Sequence, residues 1–446
     1  MNRRDFLQAA TASGFSFAAT LGAAEIRADA QKEEPSGPPV SVAVIGLGEQ
    51  GRAILASLAK MGPGKAPVAT ICDNFKAPVL IKRAAELAPT AATADDYRKV
   101  LDDKKVQAVF IATPSHKHKD IVVEALQAGK HVYCEAPLAS NIEDAKTIAK
   151  AGMDAKTFLM PGLQVRSNAQ ANHVLHFIKA KDIGTIVQGR AHWHKRDTWR
   201  KAASSPEREK ELNWRLYKET SSGLIGEVGI HQIDTANRYL NALPVAVTGF
   251  SALKTNLLPN NGGDFKDDRT VPTSAQCIIE YPNGITYYYD VSLLSSFENN
   301  NNNGNALGYE VFYATGATIL LRDQRGWMFK ESDANVLGWE GFARVDSMVV
   351  GKPETGSGET LGKGIALVAD ATKQLARGLE PGKLGTDVSK TSLYQSIDAF
   401  VSAVSHNKKP DVSPLEGYQA TVVACKCHEA ALNKSRIDFQ QDWFTL

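Results

Sequence analysis

Cysteine is scarce: five in 446 residues, Cys72, Cys134, Cys277, Cys425 and Cys427, an odd number with no CxxC pair. That leaves no disulfide framework and no zinc ribbon to organise the chain. Cys72 and Cys134 sit in apolar strand contexts and read as buried thiols, while Cys425 and Cys427, i and i+2 on a helical stretch, point to different faces. Net charge is nearly absent too, with 51 Lys and Arg against 49 Asp and Glu. A balanced surface gives no electrostatic reason for a nucleic-acid or anionic-membrane partner. Long hydrophobic runs are missing: Ala9 to Ala24 is too short and too rich in alanine, glycine and serine for a membrane anchor. No internal repeat is evident. His192 and His194 alternate along a strand with no compact carboxylate cluster, so no metal is expected.

What is present begins with Ser41 to Ile45, an apolar strand that stops at a glycine-spaced turn, Gly46-Leu47-Gly48-Glu49-Gln50-Gly51, and passes into the helix-compatible Arg52 to Lys60. Gly46 allows a tight turn, Gly48 a close approach of backbone to pyrophosphate, and Gly51 close packing of helix on strand. Phosphates would then sit on free N–H groups at the positive end of the helix dipole. A second strand, Val68 to Cys72, ends in Asp73, an acid placed for an adenosine ribose and repulsive to a 2′-phosphate. NAD is therefore expected over NADP, unless an arginine or lysine folds in from elsewhere.

Upstream, Asn2-Arg3-Arg4-Asp5-Phe6-Leu7, the weakly apolar stretch and the small-residue site Ala28-Asp29-Ala30 have the layout of a twin-arginine export signal over residues 1–30, with a polar linker over 31–39. That route carries folded proteins, so the twin-arginine export machinery is an expected partner. The nucleotide would be acquired before export and held tightly, because free NAD is scarce outside the cytoplasm.

From Val40 the pattern alternates strands and helices, as a doubly wound sheet requires. Val106 to Ala112 and Lys130 to Glu135 are strands whose ends, Thr113-Pro114 and Glu135-Ala136-Pro137, reach the carboxyl edge where open α/β sheets bind ligands. Beyond Gly162 the texture changes. Asn168 to Lys179 and Ile225 to Leu240 read as helices, and Gly184 to Trp193, Val245 to Leu253, Ser274 to Tyr281, Ile285 to Leu293, Tyr309 to Tyr313 and Ala317 to Arg322 as strands of a largely antiparallel sheet. Tyr281-Pro282-Asn283-Gly284-Ile285 is a hairpin turn. Lys195 to Ser222 is a long, charged, irregular segment of the kind that is functional or disordered. The asparagine run Glu298 to Asn305 reads as a loop tip, and Ser392 to Val404 and Glu416 to Leu432 as closing helices.

Together the glycine turn, Ala112-Thr113-Pro114 with His118, Gly129-Lys130-His131-Val132, Glu135-Ala136-Pro137-Leu138 and Gly229-Ile230-His231 ahead of Asp234 resemble the glucose-fructose oxidoreductase / inositol dehydrogenase (Gfo/Idh/MocA) family over essentially the whole chain from Val40. The resemblance implies a Rossmann domain (40–162), an α+β substrate domain (163–446) whose open sheet supports a homo-oligomer, and NAD(P)-dependent chemistry on sugars or cyclitols. It departs where such dehydrogenases have Glu-Lys-Pro and this chain has Glu135-Ala136-Pro137, so no lysine assists proton removal there. Glu227 stands where the pattern more often has aspartate. With i, i+4 spacing, Glu227 and His231 are expected on one helix face, the carboxylate orienting or raising the basicity of a catalytic imidazole.

The cofactor set is thus Gly46, Gly48, Glu49, Gln50, Gly51, Asp73, Thr113, Pro114, His118, Glu135, Ala136 and Pro137. On the substrate side stand Arg166, Lys195, Arg215, Tyr217 and Asp234, where cationic and aromatic groups could line a sugar site or simply form a solvated face. The leading expectation is an exported NAD-dependent oxidoreductase of carbohydrates. A redox-neutral hydrolase or lyase, which oxidises a sugar transiently, eliminates and re-reduces it, and a non-catalytic sugar or nucleotide sensor are the alternatives.

Overall fold

The structure is a computed structural model that describes residues 37–75, 78–203, 205–259, 267–296, 308–322, 325–334, 345–350, 359–367 and 391–446. The expected signal, linker residues 31–36 and the asparagine run lie outside them. Strands β1 (Val42–Ile45), β2 (Val68–Cys72), β3 (Ala92–Ala94), β4 (Ala108–Ile111), β5 (His131–Glu135) and β6 (Leu159–Gly162) form a parallel sheet in the order β3-β2-β1-β4-β5-β6. Helices α1 (Glu49–Met61), α2 (Pro78–Leu87), α3 (Tyr97–Asp102), α4 (His118–Gln127) and α5 (Ile142–Asp154) supply the crossovers. Every residue of β1 and β4 is buried, as in parallel strands covered on both faces. Local chemistry sets the helix starts: the Asp96 carboxylate accepts from the Arg98 N–H, and the Asn141 side chain from the Asp144 N–H. The order reverses between β1 and β4, which opens a crevice at their carboxyl ends.

The chain then runs through α6 (Ala169–Lys179), β7 (Ile186–His194), the short α7 (Pro206–Leu212), a π-helical turn (Ile225–Gly229) and α8 (Ile230–Leu240). Next come β8 (Ala246–Ala252), β9 (Ser274–Glu280), β10 (Thr286–Ser292), β11 (Tyr309–Ala314), β12 (Ala317–Arg322), β13 (Arg325–Lys330), β14 (Val345–Val350) and β15 (Glu359–Leu367). Helices α9 (Ser392–Ser405) and α10 (Pro414–Asn433) and strand β16 (Arg436–Asp438) close the chain. β7 to β16 form a ten-stranded sheet, β14-β15-β13-β12-β11-β7-β10-β9-β8-β16, antiparallel except for the β7–β10 pair. The β9–β10 turn takes Asn283 and Gly284 at φ 64° and 74°, the left-handed pair an Asn-Gly hairpin needs.

One face of this sheet is packed: Tyr281, Tyr287, Tyr289 and Phe312 are buried within the main core cluster. The other leaves Phe250, Tyr288 and Tyr313 exposed at 54%, 39% and 37%. Helix α10 is buried on several sides, from Gly417 to Ala431, and joins the two sheets: Thr421 Oγ1 accepts from the Leu138 N–H, and Gly417 lies against Pro161. Helix α9, although it follows the second sheet in sequence, returns to the first. Phe400 sits edge-on to Phe110 (5.3 Å) and Tyr133 (5.7 Å), and fully burying such a ring stabilises by about 2–3 kcal/mol. β6 ends at Gly162 and the strands of the second sheet all follow it, while α9, late in the chain, packs on the first sheet.

Candidate functional site

The crevice is built on the glycine turn. Gly46 has φ +92°, and a Cβ there would lie 2.7 Å from the Ala112 carbonyl, so only glycine fits. A Cβ on Gly48 would meet nothing within 4 Å, and Gly48 caps α1 with no side-chain hydrogen bond, leaving the first-turn N–H groups open to an anion. Asp73 accepts from the Leu47 N–H (2.7 Å) and the Phe75 N–H (2.8 Å). Each oxygen keeps a second lone pair, so the carboxylate braces the turn and can still accept ribose hydroxyls.

Gln50 Nε2 donates to Glu135 Oε1 (3.0 Å), tying the start of α1 to the loop after β5. Burial pushes the Glu135 carboxyl up to about 7, against the lowering effects of Gln50 and the Ala136 N–H. The Ala136–Pro137 bond is cis, and the Ala136 methyl packs against the Rossmann core, so no cation stands at the position of the family lysine. Glu49 opens α1 and is exposed. After β4, Pro114 caps a short 3-10 turn, and Thr113 Oγ1 is buried without a partner. That orphan hydroxyl at the strand's carboxyl end, with the open turn at Gly48, fits a bound dinucleotide.

His118 differs from expectation. It is 2% exposed, with Nε2 2.9 Å from the Thr113 carbonyl and Nδ1 3.1–3.2 Å from the Leu138 and Pro137 carbonyls. Both ring nitrogens face main-chain carbonyls, to one side of which the neutral ring donates its single N–H, so His118 braces the β4 and β5 loops instead of touching cofactor.

The expected Glu227–His231 pair is also corrected. The chain around Glu227 is a π turn, and among the described residues no hydrogen bond joins the two. Gly229 permits this turn, since a Cβ there would lie 2.6 Å from the Tyr289 ring. Glu227 instead turns Oε1 to Ser115 Oγ (3.0 Å), Ser221 Oγ (3.3 Å), Ser222 Oγ (3.1 Å) and the Ser222 N–H (3.2 Å). Among the described residues Oε2 has only Arg215 Nε, 3.9 Å away. Burial raises the Glu227 pKa, opposed by Arg215 and by the serine donors. The Ser115 bond places the π turn against the end of β4, with Ile230 buried in the Rossmann core cluster and His231 next. His231 Nδ1 is buried without a partner, and burial alone drops its pKa to about 4. It stands neutral at pH 7, an acceptor in waiting.

Of the substrate-side candidates, Arg215 is closest to this chemistry, its guanidinium 4.7 Å from the Trp214 ring. Lys195 pairs with Asp197 (3.1 Å), and Tyr217 donates to Asp268 (3.1 Å), so both are engaged in bracing their segment. Arg166 and Asp234 are corrected outright. Asp234 is 2% exposed and accepts two 2.8 Å bonds from Arg166, which also reaches Glu416 at the start of α10. They form a buried ion network, with nothing left to offer a sugar. Among the described residues no group of three His, Cys, Asp or Glu could hold a metal ion, and no helix is long and apolar enough to cross a membrane.

Sequence reading missed Ser115, Ser221 and Ser222. The last two precede Glu227 in one short run and were within reach of inspection; Ser115, 112 residues away, is brought in only by the fold.

Residues 40–163 match the family model GFO_IDH_MocA, described as an oxidoreductase family with an NAD-binding Rossmann fold, and residues 172–318 match the GFO/IDH/MocA C-terminal domain. The chain is 25% identical over 423 residues to levoglucosan dehydrogenase of Pseudarthrobacter phenanthrenivorans, covering 90% of this chain and 98% of that one. It is 29% identical over 185 residues to 2,7-anhydro-N-acetylneuraminate hydratase of Escherichia coli K12, covering 42% of this chain and 45% of that one. The solved complex of levoglucosan dehydrogenase with NADH and levoglucosan superposes with a TM-score of 0.68 at 22% identity, over 90% of this chain and all of that one, a likeness of fold.

Proposed function

We propose, from the premise that this chain belongs to the Gfo/Idh/MocA oxidoreductase family and uses NAD, that it oxidises a hydroxyl of a sugar, cyclitol or glycoside. The carrying observation is His231, whose Nδ1 is buried without a partner just after the turn that Ser115 ties to the end of β4, in a site whose glycine turn fits the dinucleotide. NAD, when bound, supplies the hydride acceptor. His231 takes the hydroxyl proton as hydride departs, because its depressed pKa keeps it unprotonated. Glu227 is a separate acid. Four donors occupy Oε1, and burial favours the protonated form against Arg215 and those donors. A carboxylic acid held there, with alanine at position 136, favours a second reading in which the oxidised sugar loses a substituent and is reduced again, Glu227 protonating the leaving oxygen. The similarity to a hydratase supports this, though the chain spans less than half of that relative.

The twin-arginine motif at Arg3-Arg4 supports export with a retained nucleotide, and the exposed aromatic face of the ten-stranded sheet supports a homo-oligomer. The test is a glycoside and cyclitol screen read both as NADH absorbance and as product by mass spectrometry. NADH formation supports net oxidation; product without NADH supports the redox-neutral cycle; no product from any sugar overturns the substrate class.

A further inference from the structure

The segment 195–222 begins and ends in the second unit. Lys195 N–H donates to the Ser292 carbonyl, Arg269 Nη2 donates to the Thr198 carbonyl (2.6 Å), and the Lys218 N–H donates to Thr270 Oγ1 (2.8 Å). Arg200 stiffens its middle, bonding Glu209 (2.6 Å), Asp267 (3.1 Å) and Asp268 (2.5 Å) with its side chain only 10% exposed. Yet the segment touches the Rossmann unit at separate places. Arg208 lies over the Phe75 ring at 4.4 Å, two residues beyond Asp73 at the adenosine end of the crevice. Trp214 meets His116 at 5.9 Å just after β4, at the opposite end. Between them Lys201 reaches toward Glu49 and Arg52 at the start of α1; crowding by protein atoms, then Arg215, lowers its pKa even though part of the side chain meets solvent. A segment fixed at both ends in one unit, and in contact with the other unit at both ends of a groove, crosses that groove.

We propose that residues 195–203 and 205–222 form a strap across the bound dinucleotide, with Lys201 facing the pyrophosphate and Arg208, stacked on Phe75, latching the adenosine end. Lys201 carries the repulsion of Arg215 and Arg52, and such repulsion is relieved by a dianion such as a pyrophosphate. The latch is a cation–π contact between units. The strap rests on the retained-nucleotide reading and deepens it, since it names what holds the cofactor.

The test uses the full mature chain as purified, with bound nucleotide released by denaturation and quantified, and exchange followed against excess labelled NAD. Arg208→Ala and Phe75→Ala are each expected to speed NAD exchange roughly tenfold. Phe75→Trp, which keeps an aromatic face, should hold exchange near the parent rate, a rescue that a merely structural role for Phe75 would not give. Lys201→Gln should speed exchange and flatten its salt dependence. Lys218→Ala, exposed in the same segment, should exchange as the parent does. Thermal melts confirm that each variant is folded. Parental exchange rates in folded Arg208→Ala and Phe75→Ala would overturn the strap. If the parent purifies empty, the retained-nucleotide reading fails alone, and the strap is judged by the dissociation constant of added NAD: a tenfold weakening in Arg208→Ala sustains it and an unchanged constant overturns it.

Discussion

Glu227 and Asp234 are buried carboxylates seven residues apart on one helical stretch, and burial pushes both pKa values up. They differ in what answers the burial. Asp234 meets a guanidinium squarely, two bonds at 2.8 Å, in a network that also takes in Glu416. Glu227 is answered by a loosely placed Arg215, 3.9 Å from one oxygen, and by neutral donors gathered on the other. Matched charge in contact makes a brace; a buried acid with one uncommitted oxygen is equipped to move a proton.

The largest effects should separate catalysis from structure. Glu227→Gln and His231→Ala are each expected to lower turnover by about 10²- to 10⁴-fold while NAD affinity and melting temperature stay near the parent. Steady-state rates alongside nucleotide titration check this. Asp234→Asn should do the reverse. Its amide cannot neutralise Arg166, and leaving that cation with Glu416 alone should cost about 3 kcal/mol in a urea unfolding curve, with activity per folded molecule largely kept. If Glu227→Gln destabilises while Asp234→Asn inactivates, the assignment of the two carboxylates is inverted.

That inversion would be the easier one to reach from sequence, because Asp234 and Arg166 look like substrate ligands until the fold buries them against Glu416. The crevice itself was legible. Gly46, Gly48, Gly51 and Asp73 are local signals, set by what one turn of backbone permits, and β1, β2 and the strands from β7 to β12 follow from apolar runs and alternation. β15, interrupted by Gly362 and Gly364, and β16, three residues long, carry no periodic signal. The Glu227–His231 pair failed because Glu227 is drawn to Ser115, Ser221 and Ser222, and Ser115 lies 112 residues away, outside any local window. His118 failed for the same reason: its partners lie on two loops that only the sheet brings together.

A pH profile sharpens the comparison further. Were His231 paired with Glu227, the carboxylate would raise its pKa above the usual 6.5 and the acid limb of kcat/KM would lie near neutrality. With the imidazole depressed to about 4 by burial, the group loses activity only as pH falls toward that value. Stability has the same sign. The unfolded imidazole binds its proton near 6.5 and the folded one near 4, so the stabilisation present above pH 6.5 is lost as pH falls between them. His116, His192 and His428, each also depressed to about 4, steepen that loss. Kinetics with His231→Gln, against urea midpoints over the same range, divide the catalytic limb from the stability limb.

The smallest expected effect concerns the cations rather than the acids. Arg215 stands 3.9 Å from Glu227 Oε2 with its side chain 40% exposed, so solvent screens much of its charge. Arg215→Ala should therefore raise the Glu227 pKa further, moving the corresponding limb of the pH–rate profile toward alkaline pH with little change in stability. Arg166→Ala makes the contrast: it strands Asp234, 3% exposed at its side chain, and should appear as lost folding free energy with no movement of either limb. The direction of the Arg215 shift decides the role of Glu227. A limb moving up in pH means that the kinetically significant form is the one whose charge Arg215 had been stabilising, so the carboxylate titrates in the working enzyme. A profile that stays in place when Arg215 is removed would mean that Glu227 keeps one protonation state throughout and serves only to hold Ser115 and Ser222 against the crevice.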